Sequence, residues 1–335
     1  MVDVISEIGI NHNGSIETAK KLIDGSSKAG ADCVKFQTFF VEELARAHTP
    51  KSAFQLKHAP EESHIEMLSR CELSFEQHVE LFNYCEEKRI KFLSTPYHPS
   101  AVDLLERVGV GSYKVASADL RDVFLLDAVS ETGKEIILST GMASLDAVKE
   151  VLEYLDVERN YSLDKLTVMH CTSDYPCAHA DANLNFITKL SDCGVRVGFS
   201  DHSIGNLQAL LALALGARTF EKHVTLDKMA DGPDHQASSN LDELHEYVET
   251  LKNGVIALGE GVKSTLRSEQ SMKFTSQKSL VYKTDLAAGT TLTKSDFLGM
   301  RPFDGLDTFE VKNFVGKTLI KEVKKHDSAS DRDTE

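Results

Sequence analysis

Lys35 and Lys114 stand where a lysine is hard to place. Each lies in an apolar or β-branched run, CVKFQT and YKVAS, and an ammonium carried into such a strand is costly unless it meets an anion. Hydroxyls at Thr95, Ser117 and Ser200 close comparable runs, and together these groups suit a phosphate or a carboxylate. A lysine that caps a neighbouring strand, or pairs with Glu7 or Glu221, explains either one alone equally well. Two at matched strand ends favour an anion site. His202 in GFSDHS and His223 in FEKHV end consecutive runs. Two imidazoles facing one point make a divalent-metal site with positions open to water and substrate, although no third protein ligand is obvious. Asp201 either orients an imidazole or bonds backbone amides.

Short β-branched runs alternate with amphipathic stretches, the signature of a βαβ series. Strands are predicted at Val2 to Gly9, Cys33 to Thr38, Lys91 to Thr95, Ser112 to Ala116, Glu135 to Thr140, Leu166 to Cys171, Arg196 to Ser200 and Thr219 to Val224. Eight such units in about 260 residues match a (β/α)8 barrel, TIM-like, better than a doubly wound sheet. In a barrel, catalytic groups gather at the C-terminal ends of the strands, and all eight ends are polar here. Ser74 with Gln77 forms a capping-box signature. Met142, Leu145, Val148, Val151, Leu152 and Leu155 recur at helical spacing and predict an inward face. Residues 206–216 (NLQALLALALG) are apolar almost all round, which predicts a deeply covered helix. The barrel is expected over residues 1–262, a polar connector over 263–278, a small, mostly β domain over 279–326 and a frayed tail over 327–335.

Lys plus Arg number 37 and Asp plus Glu 52 in this 335-residue chain, a net charge of 37 − 52 = −15, which opposes nucleic-acid binding. No apolar stretch reaches the roughly 18 residues of a membrane span, and the start lacks a signal-peptide pattern. The 6 cysteines show no C-x-x-C pair and read as reduced thiols of a cytoplasmic protein. GINHNGS reads as a turn and STGMAS as an N-cap with a short loop, so Gly9, Gly14 and Gly141 are assigned mainly to turn chemistry. No dinucleotide or Walker glycine motif is present, which leaves a nucleotide cofactor without support.

Taken together, EIGINHNGS, VKFQTF, STPY, YKVAS, ILSTGMAS, HCTSDYP, GFSDHSIG, EKHVTLDK and GPDH resemble the sialic acid synthase family, in family order from about Val4 to about Glu322. The resemblance implies condensation of phosphoenolpyruvate with an N-acetylated amino-hexose on a (β/α)8 barrel followed by a small antifreeze-like (SAF) domain. It places Lys35, Thr95, Lys114, Ser117, Ser173 and Ser200 at phosphoenolpyruvate, with Glu7, Lys35 and Lys114 at the reacting centre. It places Gln37, Asp119, Tyr175, Asp234 and Arg301 at the sugar. His202 and His223 match the metal ligands, for manganese, with magnesium or cobalt as alternatives. Arg301 matches an arginine that one subunit inserts over its partner's site, which implies a domain-swapped homodimer. Asp119 stands where several relatives carry Glu, Ser173 where some carry Asn, and Phe303 where Gly is usual. Residues 51–63 lack a counterpart of the family's sugar-binding Asn. GPDHQAS favours N-acetylmannosamine as acceptor, with a 2,4-diacetamido-trideoxy hexose, giving a legionaminic acid, as the alternative. A Schiff-base aldolase using Lys35 or Lys114, and an inert ice-binding or scaffold protein, are the competing classes.

Overall fold

Alternation along each strand sorts side chains between two faces, one toward flanking helices and one toward a shared interior. In β1 (Asp3–Gly9) Val4 and Ile8 join the large core beneath the helices, whereas Ile5 and Glu7 point the other way. The same parity runs through β2 (Cys33–Thr38), β3 (Lys91–Pro96), β4 (Ser112–Val115), β5 (Glu135–Ser139), β6 (Leu166–His170), β7 (Arg196–Asp201) and β8 (Thr219–His223). The computed structural model describes residues 2–46, 49 and 63–335; the segment 51–62, where no counterpart of the family's sugar-binding Asn was found, lies outside the described residues. The strands form one parallel sheet in the order β3-β2-β1-β8-β7-β6-β5-β4. β3 and β4 stand side by side, so the sheet nearly closes into a TIM-like barrel. Ile5, Cys33, Leu93 and Ile137 cluster on its floor. One pleat higher, the same strands present Glu7, Lys35, Thr95 and Ser139, so the interior changes from apolar to polar within a few ångströms.

The helices that hold this register are capped as their sequences suggest. Helix Phe75–Lys88 starts with the Ser74–Gln77 capping box, a device that contributes about 1 kcal/mol. Two expectations change. Helix Leu145–Glu153 begins only after the Ser144 N-cap, which leaves Met142 outside it and exposed. Helix Leu207–Ala214 buries Ala209, Ala212 and Leu213 against β7 and helix Leu241–Leu258 but leaves Leu207 and Leu211 exposed among the described residues, so it is not deeply covered all round.

The chain divides into two compact units, Met1–Gly259 and Glu260–Glu335. In the second, helix Gln270–Ser276 occupies part of the predicted connector. Strands β9 (Ser279–Tyr282) and β10 (Phe297–Met300) pair antiparallel over a separate core that includes Leu280, Tyr282, Leu292, Phe314 and Val323. The tail is not frayed. Ala329 is buried in that core, Thr334 bridges to Leu319, and the buried Asp333 carboxylate accepts the Tyr282 hydroxyl at 3.1 Å. One alanine and one buried carboxylate anchor a segment whose composition reads as disordered. Among the described residues no helix is long and apolar enough to cross a membrane.

Candidate active site

At the C-terminal mouth of the barrel, inward-facing side chains surround a cavity of about 420 Å³. Its floor is a cluster of buried charges. Lys35 Nζ lies 3.3 Å from Glu7 Oε2, 3.2 Å from Glu221 Oε1 and 3.1 Å from Thr95 Oγ1. Lys114 Nζ lies 3.7 Å from Glu221 Oε2. Burial alone would raise the pKa of Glu221, but the ammonium groups of Lys114 and Lys35 outweigh it and hold the carboxyl down to about 2. Glu7 is pushed the other way, by burial, to about 7. Two cations therefore face one firmly ionised carboxylate and one that shares its proton near neutral pH, a balance that leaves room for an incoming anion.

One side of the cavity depends on a close backbone approach. Ser117 Oγ and Ser173 Oγ sit 3.3 Å apart, over Gly141. A Cβ on Gly141 would fall 2.4 Å from Ser117 Cβ and 2.7 Å from Ser173 Oγ, and its φ is +44°. Glycine is required here for space as well as for the turn, a correction to its assignment to turn chemistry. The Gly141 N–H donates to Cys171 Sγ at 3.2 Å.

His202 and His223 come together at the cavity wall, ring centroids 5.8 Å apart, and Tyr175 stacks on His202 at 4.1 Å. His202 Nδ1 donates to the Thr172 carbonyl at 2.6 Å, so Nε2 carries the lone pair; it lies 3.3 Å from Ser200 Oγ, whose proton goes to Glu221. His223 Nδ1 is buried with no hydrogen-bond partner among the described residues. Burial lowers the two pKa values to about 4 and about 3, so both rings are neutral at pH 7. Two neutral imidazoles side by side, one with a buried unpartnered ring nitrogen, fit a divalent cation. Among the described residues no group of three or more His, Cys, Asp or Glu converges as an ion site, so an ion held here would have two imidazoles as its protein ligands and would need further ligands from water or substrate. Asp201 does not orient an imidazole: it faces away from the cavity, accepting from Ser203 N–H at 2.8 Å and meeting Lys222 Nζ at 3.1 Å.

Glu7, Lys35, Gln37, Thr95, Lys114, Ser117, Ser173, Tyr175, Ser200, His202, His223 and Asp234 all line this cavity. Gln37 Nε2 donates to Glu7 Oε1 at 3.2 Å, and Ser200 Oγ donates to Glu221 Oε1 at 3.2 Å. Asp234, taken from bulk water without a compensating cation, has its pKa raised to about 6. Asp119 stands off the cavity lining, in the turn Ser117–Asp119, and burial raises its pKa to about 6 as well. Arg301 lies in the second unit, exposed, with Nε donating to the Ser276 carbonyl at 2.7 Å. Phe303 is tied down beside it: its N–H donates to the Phe274 carbonyl and Lys273 lies over its ring. Sequence reasoning named Glu221 only as an alternative partner of one lysine, a pairing the structure shows for both, and assigned no role to Tyr97 or Cys171; all three line the cavity. Glu221 was visible as a strand-end carboxylate two residues before His223; its contact with both lysines follows only from the closure of β8 against β1.

Comparison with known proteins places the chain in a family. The NeuB family model matches residues 22–263. The N,N'-diacetyllegionaminic acid synthase of Campylobacter jejuni is 37% identical over 96% of this chain and 96% of its own length. The N-acetylneuraminate-9-phosphate synthase of Mus musculus is 32% identical over 99% of this chain and 92% of its own. The crystal structure of N-acetylneuraminic acid synthetase from Leptospira borgpetersenii, in complex with citrate, superposes with a TM-score of 0.71 at 31% identity, covering 81% of this chain and 90% of that one. With two buried lysines lining the cavity at the mouth of a parallel barrel, the chain belongs to the NeuB family of nonulosonic acid synthases, and is a phosphoenolpyruvate-dependent, C–C bond-forming transferase.

Proposed function

We propose that the acceptor is a 2,4-diacetamido-trideoxy hexose and the product a legionaminic acid. The observation that carries this reading is the 37% identity to a legionaminic acid synthase over nearly the full length of both chains, against 32% for the N-acetylneuraminate-9-phosphate synthase. It replaces N-acetylmannosamine, the acceptor favoured by GPDHQAS alone, with the alternative.

In this reading Lys35, Lys114, Thr95, Ser117, Ser173 and Ser200 hold the carboxylate and phosphate of phosphoenolpyruvate, while Gln37, Tyr175 and Asp234 contact the sugar; a sugar role for Asp119, which is not part of the cavity lining, rests on the sequence resemblance alone. Held in register, the methylene carbon of the enol ether bonds to the aldehyde carbon of the open-chain sugar, whose oxygen takes up a proton. Water adds to the resulting cation at the phosphate-bearing carbon. Glu7, titrating at about 7, accepts the proton that this water releases, and the tetrahedral adduct expels phosphate to leave the 2-keto acid. His202 and His223 would hold a divalent ion, manganese by the sequence resemblance, which when bound would supply Lewis-acid polarisation of the sugar carbonyl. The second unit is read as an antifreeze-like module whose Arg301 reaches the site of a partner subunit in a domain-swapped homodimer. This last reading rests on the sequence resemblance.

Phosphate release with phosphoenolpyruvate and each of the two hexoses, followed by product masses, tests the acceptor. The 2,4-diacetamido hexose should exceed N-acetylmannosamine in kcat/KM by about tenfold or more, the discrimination that one well-placed acetamido contact supplies. The reverse preference would return the N-acetylneuraminate reading.

A further inference from the structure

The turn after β1 and the loop that carries Asp234 are far apart in sequence yet joined by a continuous set of hydrogen bonds. The backbone closes the base of that loop: Ser239 N–H donates to the His223 carbonyl and Thr225 N–H to the Ser239 carbonyl, each at 2.8 Å. Inside this base, the buried Asn11 side chain donates through Nδ2 to the Val224 carbonyl at 2.8 Å and to Ser238 Oγ at 2.9 Å. The Ser238 hydroxyl in turn donates to the carbonyl of Asp234 at 2.6 Å. Asn13 makes a second tie. Its Nδ2 donates to the Asp231 carbonyl at 2.9 Å and lies 3.1 Å from His235 Nε2.

The hydrogen positions in the second tie follow from its partners. The Thr225 hydroxyl donates to the Asp227 carbonyl at 3.0 Å and lies 2.7 Å from His235 Nδ1. Its proton is therefore spent, so Nδ1 must be the donor and Nε2 the acceptor for Asn13. Burial keeps this ring below its ordinary pKa, so the neutral tautomer that the network demands persists at pH 7. Space is equally tight: a Cβ on Gly232 would meet the His235 ring at 2.7 Å and Asn13 Oδ1 at 3.2 Å, and φ there is +146°. Asn13 itself has φ +50°, a conformation that asparagine tolerates better than most residues.

We propose that Asn11 and Asn13 are positioning residues for Asp234, fixing where its carboxylate stands in the cavity and so setting recognition of the acceptor sugar. Neither asparagine lines the cavity, so each acts through the loop. The proposal deepens the reading of Asp234 as an acceptor contact and rests on it. Phosphoenolpyruvate is held by other strands, which gives a readout that general destabilisation would not produce: the acceptor KM should move while the phosphoenolpyruvate KM does not.

The test is initial-rate kinetics of the full-length enzyme with phosphoenolpyruvate and the 2,4-diacetamido hexose, or N-acetylmannosamine if that turns over faster. Asn11→Ala and Asn13→Ala should each raise the acceptor KM about tenfold, the equivalent of one buried hydrogen bond, and leave the phosphoenolpyruvate KM within about twofold. Ser238→Ala, which removes only the link between Asn11 and Asp234, should reproduce Asn11→Ala and serves in its place if that variant fails to fold. In an Asp234→Ala background the asparagine substitutions should add nothing further. A raised acceptor KM in Asp234→Ala with a wild-type value in Asn13→Ala and Ser238→Ala overturns the positioning role alone, as do additive effects in the double variants. A wild-type acceptor KM in Asp234→Ala overturns both the sugar-contact reading and this inference.

Discussion

Two groups of buried lysines and carboxylates stand back to back on the barrel wall. Inside the mouth, Lys35 and Lys114 share Glu221 and Glu7 around an open cavity, with Lys114 held no closer than 3.7 Å to its carboxylate. Behind the same strands, Lys222 meets Asp201 at 3.1 Å, donates to the Ser203 and Gly205 carbonyls and lies over the Tyr247 ring at 5.2 Å. One residue along the chain separates the two environments, since Ser200 and Glu221 face in while Asp201 and Lys222 face out. The rear cation has a full set of partners, and so does Lys35, with Glu7, Glu221 and Thr95 at 3.1–3.3 Å; Lys114, at 3.5 Å from the Val115 carbonyl and 3.7 Å from Glu221, is the loosely held one. A buried charge with its partners complete fixes strand register, whereas one with spare capacity beside a cavity is available to a ligand.

Removal of metal should have the largest effect and should act through the mouth alone. Exhaustive chelation, or His202→Ala, should abolish turnover, and manganese should restore the chelated wild type but not the variant; full activity after chelation would remove the metal role. Next, Lys114→Ala should lower kcat/KM for phosphoenolpyruvate by 10² or more, on the order of 3 kcal/mol, because charge-assisted contacts are lost. Its thermal midpoint should stay near that of the wild type, in contrast to the rear lysine.

Lys222→Ala should destabilise the fold by about 3–5 kcal/mol in urea titrations by stranding Asp201, whereas Asp201→Leu with Lys222→Met should recover most of that loss. If Lys222→Ala leaves stability unchanged, the division between the two groups is wrong. A smaller effect separates them by pH. Glu7 in the folded chain titrates at about 7, raised by burial from 4.5, so between these values the folded state binds more protons than the unfolded one. Stability from this group is present below pH 4.5 and is lost as pH rises through 7. Glu7→Gln should abolish that slope, gaining up to about 3 kcal/mol on the wild type across the window. Parallel stability curves for the two proteins would show that Glu7 is not perturbed.

The barrel was legible in the sequence because alternation and polar strand ends survive in short runs, and Lys35, Lys114, His202 and His223 were legible because charge inside an apolar run is unusual. Lys222 in FEKHV satisfies the same criterion, yet only the parity of β8 sends it outward. Glu221 needed the pairing of β8 with β1 to become the shared partner of both lysines. The asparagines of GINHNGS fit a turn, and the turn is real, but their amides bond residues more than 200 positions away. No local pattern carries that information. Likewise the exposure of Leu207 and Leu211 among the described residues shows that an almost wholly apolar helix sequence does not by itself say how many of its faces are buried.

The central claim is that the mouth cluster, not the rear one, receives phosphoenolpyruvate. Calorimetric titration of phosphoenolpyruvate into the wild type, Lys114→Ala and the Asp201→Leu, Lys222→Met protein, at one manganese concentration, addresses it directly. The account predicts an affinity about 100-fold weaker for Lys114→Ala, equivalent to roughly 2.7 kcal/mol, and unchanged within about twofold for the rear double variant. Wild-type affinity in Lys114→Ala would contradict it.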